Sequence, residues 1–318
     1  MFERQVAYYL NKYLGRYVYN VDASALQISI FKGNVQLSNL QLKPEALNSL
    51  NLPVTVKAGL LGSLKLKVPW SNLGGSPVIC EMDGIYVLAV PNTGAQRDEK
   101  DFAAAEQKAK QQKIDQAEEE FIQLWKESME SGDVKAPAGT DQKSAGRLQS
   151  LMETILGNLQ LSITNVHIRY EDPDSVPGQL FACGLTLQEV SANTVDSKGE
   201  KAFVVKNALE HLRKSARLLR FAVYFDAQAE AYRPQTGRWE SMARVHWNEL
   251  FLPGIESDLP AEEREYVLTP INGAMTFERL DGKQRRLKPD EEPTHKAVAS
   301  LTSLSLHLSE GQYTCAQA

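Results

Sequence analysis

The hydrophobic pattern of this chain changes period once, near its start, and the new period then holds along most of its length. Phe2, Val6, Tyr9, Leu10, Tyr13 and Leu14 recur at helical spacing, and Gly15 follows as a stop. The spacing predicts an amphipathic helix of about three turns. Its aromatic-rich face either packs on the rest of the domain or lies in a membrane surface, for which Lys12 and Arg16 form a thin basic flank.

From residue 25 apolar and polar residues alternate. Leu26, Ile28 and Ile30 share one face, followed by Val35 and Leu37, then Leu40 and Leu42. Val54 and Val56, then Leu64, Leu66 and Val68, continue the pattern around Gly59 and Gly62. Val78, Cys80 and Met82, then Ile85 and Val87, complete it. Five or so strands with one apolar side and short turns predict an antiparallel meander.

The alternation resumes with Leu161 and Ile163, then Val166 and Ile168, and runs through Phe181, Cys183, Leu185 and Leu187. It continues in AFVV, in Phe221, Val223 and Phe225, in residues 265–280, and last in Leu304, Leu306 and Leu308. Apolar parity flips at Ser38-Asn39, Asp83-Gly84 and Thr164-Asn165. Either an extra residue there bends a long strand while its apolar side keeps facing one way, or the strands end there.

Residues 92–146 break the pattern. They are rich in Ala, Glu, Lys and Gln, with Ile114, Ala117, Phe121, Leu124 and Met129 along one helical face, and end in a Gly/Ala/Ser-rich linker. Leu148, Leu151, Ile155 and Leu159 predict a short helix, and residues 241–252 another. The chain thus divides into residues 1–91, a helical insertion over 92–146, and a continuation of the sheet over 147–318. No closing element ends the sequence, so a longer protein is expected.

Charge changes the picture little. The formal net charge of −5 over 318 residues supplies no basic field for nucleic acid. Cys80, Cys183 and Cys315 are scattered and odd in number, which suits a reducing, cytoplasmic setting. The longest apolar run, IYVLAVP, is far short of the roughly 20 residues of a spanning helix.

Chemistry is harder to find. His167, Arg169 and Glu171 alternate with Val166, Ile168 and Tyr170, so they share the face opposite the apolar one. Read as a solvated face, with neighbours along the strand roughly 7 Å apart, they stand too far from one another for general-base work. The five histidines and three cysteines lack metal-ligand spacing, and no nucleophile elbow or phosphate loop occurs. The reading is therefore non-enzymatic, without a cofactor. What remains is a surplus of apolar sheet face. It either closes on itself as a sandwich or barrel core, or lines an open trough that takes an apolar ligand such as an acyl chain.

Several stretches carry a resemblance: YLGRYV, GNVQLSNLQLK, VKAGLLGSLKLKVPW and GIYVLAV within residues 1–91, and NVHIRYED after the insertion. Together they resemble the chorein N-terminal domain of the vacuolar protein sorting-associated protein 13 family of bridge-like lipid transfer proteins. The match is dense over 1–91, good over 147–190 and looser beyond; the 92–146 insertion departs from it and shows no acidic receptor-binding tract. The resemblance implies an α+β, mostly β fold, a long, strongly curved antiparallel sheet forming an open hydrophobic groove capped by the first helix. It implies that glycerophospholipids travel along this groove between membranes at contact sites. This end would then sit at the endoplasmic reticulum, near a receptor or scramblase. On that reading the parity-matched apolar residues named above, from Ile28 to Phe225, are the lipid-binding site.

Overall fold

A computed structural model describes residues 14–19, 32–48, 54–72, 75–92, 155, 157–204, 212–235, 237–255, 264–279 and 295–317. The first three turns of the predicted opening helix, the strand carrying Ile28 and Ile30, and the helical face of the insertion lie outside these residues.

The chain is mostly β. One sheet runs in the order β1 (Asn34–Gln41), β2 (Val54–Lys67), β3 (Ile79–Pro91), β4 (Gln160–Asp172), β5 (Phe181–Thr194), β6 (Arg213–Asp226), β7 (Tyr266–Arg279) and β8 (His295–Leu301). Among the described residues β1 and β8 stand at opposite ends of this order, so the sheet is not closed. Short helices among the described residues include α1 (Pro44–Asn48), α2 (Arg244–Phe251) and α3 (Glu310–Gln317).

The expected antiparallel meander holds for six of the seven pairings in this order, but β3 and β4 are parallel, with Ile79 opposite Gln160 and Ala89 opposite Tyr170. Parallel neighbours need a long crossover, and residues 92–159 are long enough to be one. Gly59 and Gly62 do not divide two strands; both lie inside the fourteen-residue β2. A Cβ on Gly59 would come within 2.9 Å of the Leu42 side chain, so the glycine marks close approach rather than a turn. The described part of AFVV, residues 202–204, lies in no strand. The last strand ends at Leu301, leaving Leu304 and Leu308 off the ladder and Leu306 in a single bridge to Leu268, and α3 follows.

The parity flips have an unexpected geometry. Asn39, Gly84 and Asn165 all have positive φ (56°, 72° and 55°), as does Arg220 (50°). The registers on either side place Asn39, Gly62, Gly84, Asn165, Gln188 and Arg220 in one transverse row across six strands. Between β1 and β6 no strand gains a residue over its neighbour there: Leu37 faces Leu64 below the row and Leu40 faces Leu61 above it. All six strands flip together, which preserves the ladder and keeps one face apolar on both sides of the row. Register shifts of the bulge kind occur at Val56/Ala58, away from the row, and between β6 and β7, where the one between Leu218 and Phe221 falls at Arg220 in the row itself. Beside the first of them Asn48, at the end of α1, bonds both the amide (2.7 Å) and the carbonyl (3.3 Å) of Val56.

Candidate functional site

Residues directly opposite one another on neighbouring strands share a face, so the registers define the candidate surface. Below the transverse row, Leu37, Leu64, Met82, Ile163, Val190 and Leu218 form one line across the sheet, and Val35, Leu66, Cys80, Leu161, Ala192 and Ala216 form the next. Above it, Leu40, Leu61, Ile85, Val166 and Leu187 align, followed by Val87, Ile168, Leu185 and Val223. Val56, Ala89, Tyr170, Cys183 and Phe225 make the uppermost line. Most described residues of the expected apolar set fall in these lines and share this face; Leu42, Val54, Val68, Val78, Phe181 and Phe221 stand outside them.

Parts of the face are covered. Leu14, Tyr17 and Val18 pack on Leu37, Leu40, Leu42, Leu61, Leu64, Cys80 and Met82. Ile155 and Leu159 pack with Val68 and Val78. Cys315 of α3 packs with Phe181 and Ala227, and Phe225 stacks on Phe181 at 5.1 Å. Between these covers Met82, Ile85, Val87, Ile163, Leu185, Leu187 and Val223 are half-buried, and Ile168 and Met275 are 39% and 40% exposed. Burial pushes the Cys80 and Cys183 thiols above their usual range, so both are un-ionised apolar groups here.

The opposite face overturns an expectation. His167, Arg169 and Glu171 do not meet solvent; they are 0%, 2% and 3% exposed. They lie beneath residues 227–255, whose Trp239, Met242, Trp247, Phe251 and Ile255 pack with Ala58, Leu60, Tyr86 and Leu88 as the main core. His167 donates from Nδ1 to the Phe251 carbonyl (2.8 Å), so its Nε2 accepts from the Tyr224 hydroxyl (2.8 Å) and the ring is neutral. Desolvation, reinforced by Arg264 and Arg169, pushes its pKa down to about 3. Arg169 spans the distance along the strand after all, because both side chains are long: its Nε lies 2.8 Å from Glu171 Oε1. The same guanidinium reaches the Glu230 carbonyl (2.9 Å) and lies 3.9 Å from the Tyr232 ring centroid, while Glu171 accepts from the Tyr232 amide (2.8 Å).

The motif is therefore a fastening. Its polar side chains hold both ends of the covering segment, at Glu230–Tyr232 and at Phe251. Arg244 of α2 adds a bond to Asp83, and Arg220 one to the Ile255 carbonyl (3.0 Å), so the transverse row anchors the cover as well. A substrate has no access to His167, Arg169 or Glu171. Among the described residues no three His, Cys, Asp or Glu side chains gather to hold a metal ion, and no helix is long and apolar enough to cross a membrane.

The periodicity reading missed Leu61, Val190, Leu218 and Met275 on the apolar face. Leu61 was hidden by treating its glycine neighbours as a turn; Val190 and Leu218 would have emerged from continuing the parity flip into β5 and β6.

The sequence matches the model of the VPS13-like family N-terminal region over residues 1–316. It is 34% identical over 98% of its length to the intermembrane lipid transfer protein VPS13 of Chaetomium thermophilum, and 32% identical over 98% to vps13A of Dictyostelium discoideum. Human VPS13C, also named an intermembrane lipid transfer protein, is 27% identical over the same share. The chain spans 9% of the length of each of these three. An open apolar sheet face, a motif spent on fastening rather than catalysis, and these matches agree: the chain belongs to the VPS13-like family, as its N-terminal region.

Proposed function

We propose that this chain binds glycerophospholipids along the apolar face of its sheet, as the end piece of a bridge that moves them between membranes at contact sites. The observation that carries the reading is the stretch around Ile168 and Met275, exposed among the described residues, on a sheet whose described strands do not close upon themselves. The relatives' names supply the class of cargo. An acyl chain of about sixteen carbons buried there gains on the order of 10 kcal/mol before ordering costs. Headgroups remain in water, so no catalytic step is required. On this reading the apolar face forms a trough. The membrane at this end is the endoplasmic reticulum, with a receptor or scramblase as partner. The competing picture, a closed β domain acting as a contact-site adaptor, requires the apolar faces to meet one another.

A direct test incubates the chain with fluorescent phosphatidylcholine and follows co-migration on a native gel. Wild type carries the label; Ile168→Asp and Leu185→Asp lose it while their circular dichroism and melting temperature stay near wild type. Equal labelling of all three, or unfolding of both variants, would sink the trough and favour the adaptor.

A further inference from the structure

The apolar face is not apolar to its lower end. Lys214 on β6 lies opposite Thr194 and Phe277, and it is two and four residues from Ala216 and Leu218. Its side chain therefore stands on the same face as the Leu218–Val190–Ile163–Met82 line. The Nζ is 2.8 Å from Thr194 Oγ1 and 3.0 Å from the Leu159 carbonyl, both neutral acceptors. Thr194 is fully buried and donates its own hydroxyl to the Gly157 carbonyl (2.7 Å), which leaves its lone pairs turned to the lysine. No carboxylate pairs with Lys214 among the described residues, although the ammonium is half-buried and burial pulls its pKa below the usual lysine value. An ammonium has three donors; two are spent. Half-buried cations without a counter-ion are costly, and an anion arriving from the trough would offset that cost. Arg279, opposite His295 on β8, lies on the same face one row further down, so a second cation stands at this rim.

We propose that Lys214 is a phosphate-contacting residue at the lower rim of the apolar face, taking the phosphodiester or phosphomonoester of a glycerophospholipid whose chains lie on that face. The proposal rests on the lipid-binding reading above and adds a fixed point to it. A lipid passing this rim pauses with its phosphate at Lys214 and its chains toward Met82 and Ile163. Lipids without a phosphate receive no such hold.

The test loads the 318-residue chain from phosphatidylcholine vesicles doped with either dioleoyl phosphatidic acid or dioleoylglycerol, and counts bound lipid by mass spectrometry. Wild type takes phosphatidic acid over diacylglycerol by about fivefold or more, the scale of one partly screened charge-assisted hydrogen bond. Lys214→Met brings that ratio close to one, and Lys214→Arg restores it. Inorganic phosphate at tens of millimolar leaves the wild-type ratio intact; if it abolishes the ratio, the site is one for free phosphate and the lipid assignment falls. An unchanged ratio in Lys214→Met, with only a lowered melting temperature, would make the lysine a staple for the carbonyls of residues 157–159 and overturn the proposal. Absence of any lipid from wild type would instead strike the lipid-binding reading itself.

Discussion

The two sides of β4 have opposite fates. Val166, Ile168 and Tyr170 look toward a face that is partly open, whereas His167, Arg169 and Glu171, the polar set, are sealed beneath twenty-nine residues of covering chain between 227 and 255. The usual rule puts the apolar side inside. Here the polar side is the better buried of the two, because each polar group has a partner supplied by the cover: the Phe251 carbonyl, the Tyr232 amide, the Glu230 carbonyl. Buried polar groups are tolerable when satisfied.

If the covered face is the structural core, damage there is costly. Trp247, fully buried and 5.4 Å from the Phe251 ring and 5.0 Å from that of Trp239, is its keystone. Trp247→Ala loses about 3–5 kcal/mol in chemical denaturation. Glu171→Leu follows at about 3 kcal/mol, since it leaves the Arg169 charge buried beside only a distant Asp226 at 3.9 Å; unchanged denaturation midpoints would show the fastening to be idle.

Acid distinguishes the faces as well. His167 is held neutral in the fold with a pKa near 3, against 6.5 when exposed. Between those values the unfolded chain binds a proton that the folded one does not, so stability rises with pH through this window and is lost as pH falls from about 6.5 toward 3. The slope from this group is at most about 1.4 kcal/mol per pH unit. His167→Leu flattens it, as urea titrations at stepped pH would record.

The transverse row tests the sheet rather than either cover. Asn165→Ala places a Cβ-bearing residue without a local bond at φ 55° and loses the contact to Asp83 (2.8 Å), for about 1–2 kcal/mol, while Asn165→Gly costs less. The same melting temperature for both would mean that the positive φ carries no strain. Smallest of all is the effect on stability of Leu185→Asp, within about 1 kcal/mol at a half-buried position. Its effect on bound lipid is the largest, and that inversion between the faces is the sharpest form of the comparison.

Alternation along the strands tells which residues share a face, and so the apolar set from Val35 to Phe225 was legible. It says nothing of direction, and the parallel β3–β4 pair could not be read from it. Parity flips at Asn39, Gly84 and Asn165 were visible because those residue types accept positive φ; Arg220, in the same row, advertises nothing. That all four fall in one row depends on registers, which pairing alone fixes. The solvated reading of His167, Arg169 and Glu171 failed for a similar reason. A strand carries no sign of what will lie on it, and the cover comes from residues 60 to 90 positions away. Lys214 escaped notice as an ordinary strand lysine, since its burial and its neutral partners among the described residues are properties of the packed sheet.

The most direct measurement is of what the purified chain already holds. Organic-solvent extraction and mass spectrometry, against a mock purification, should recover one or more glycerophospholipids per chain, broad in headgroup. A folded, monomeric protein that yields none would contradict the open lipid-bearing face, and with it the account of why one side of this sheet is left uncovered.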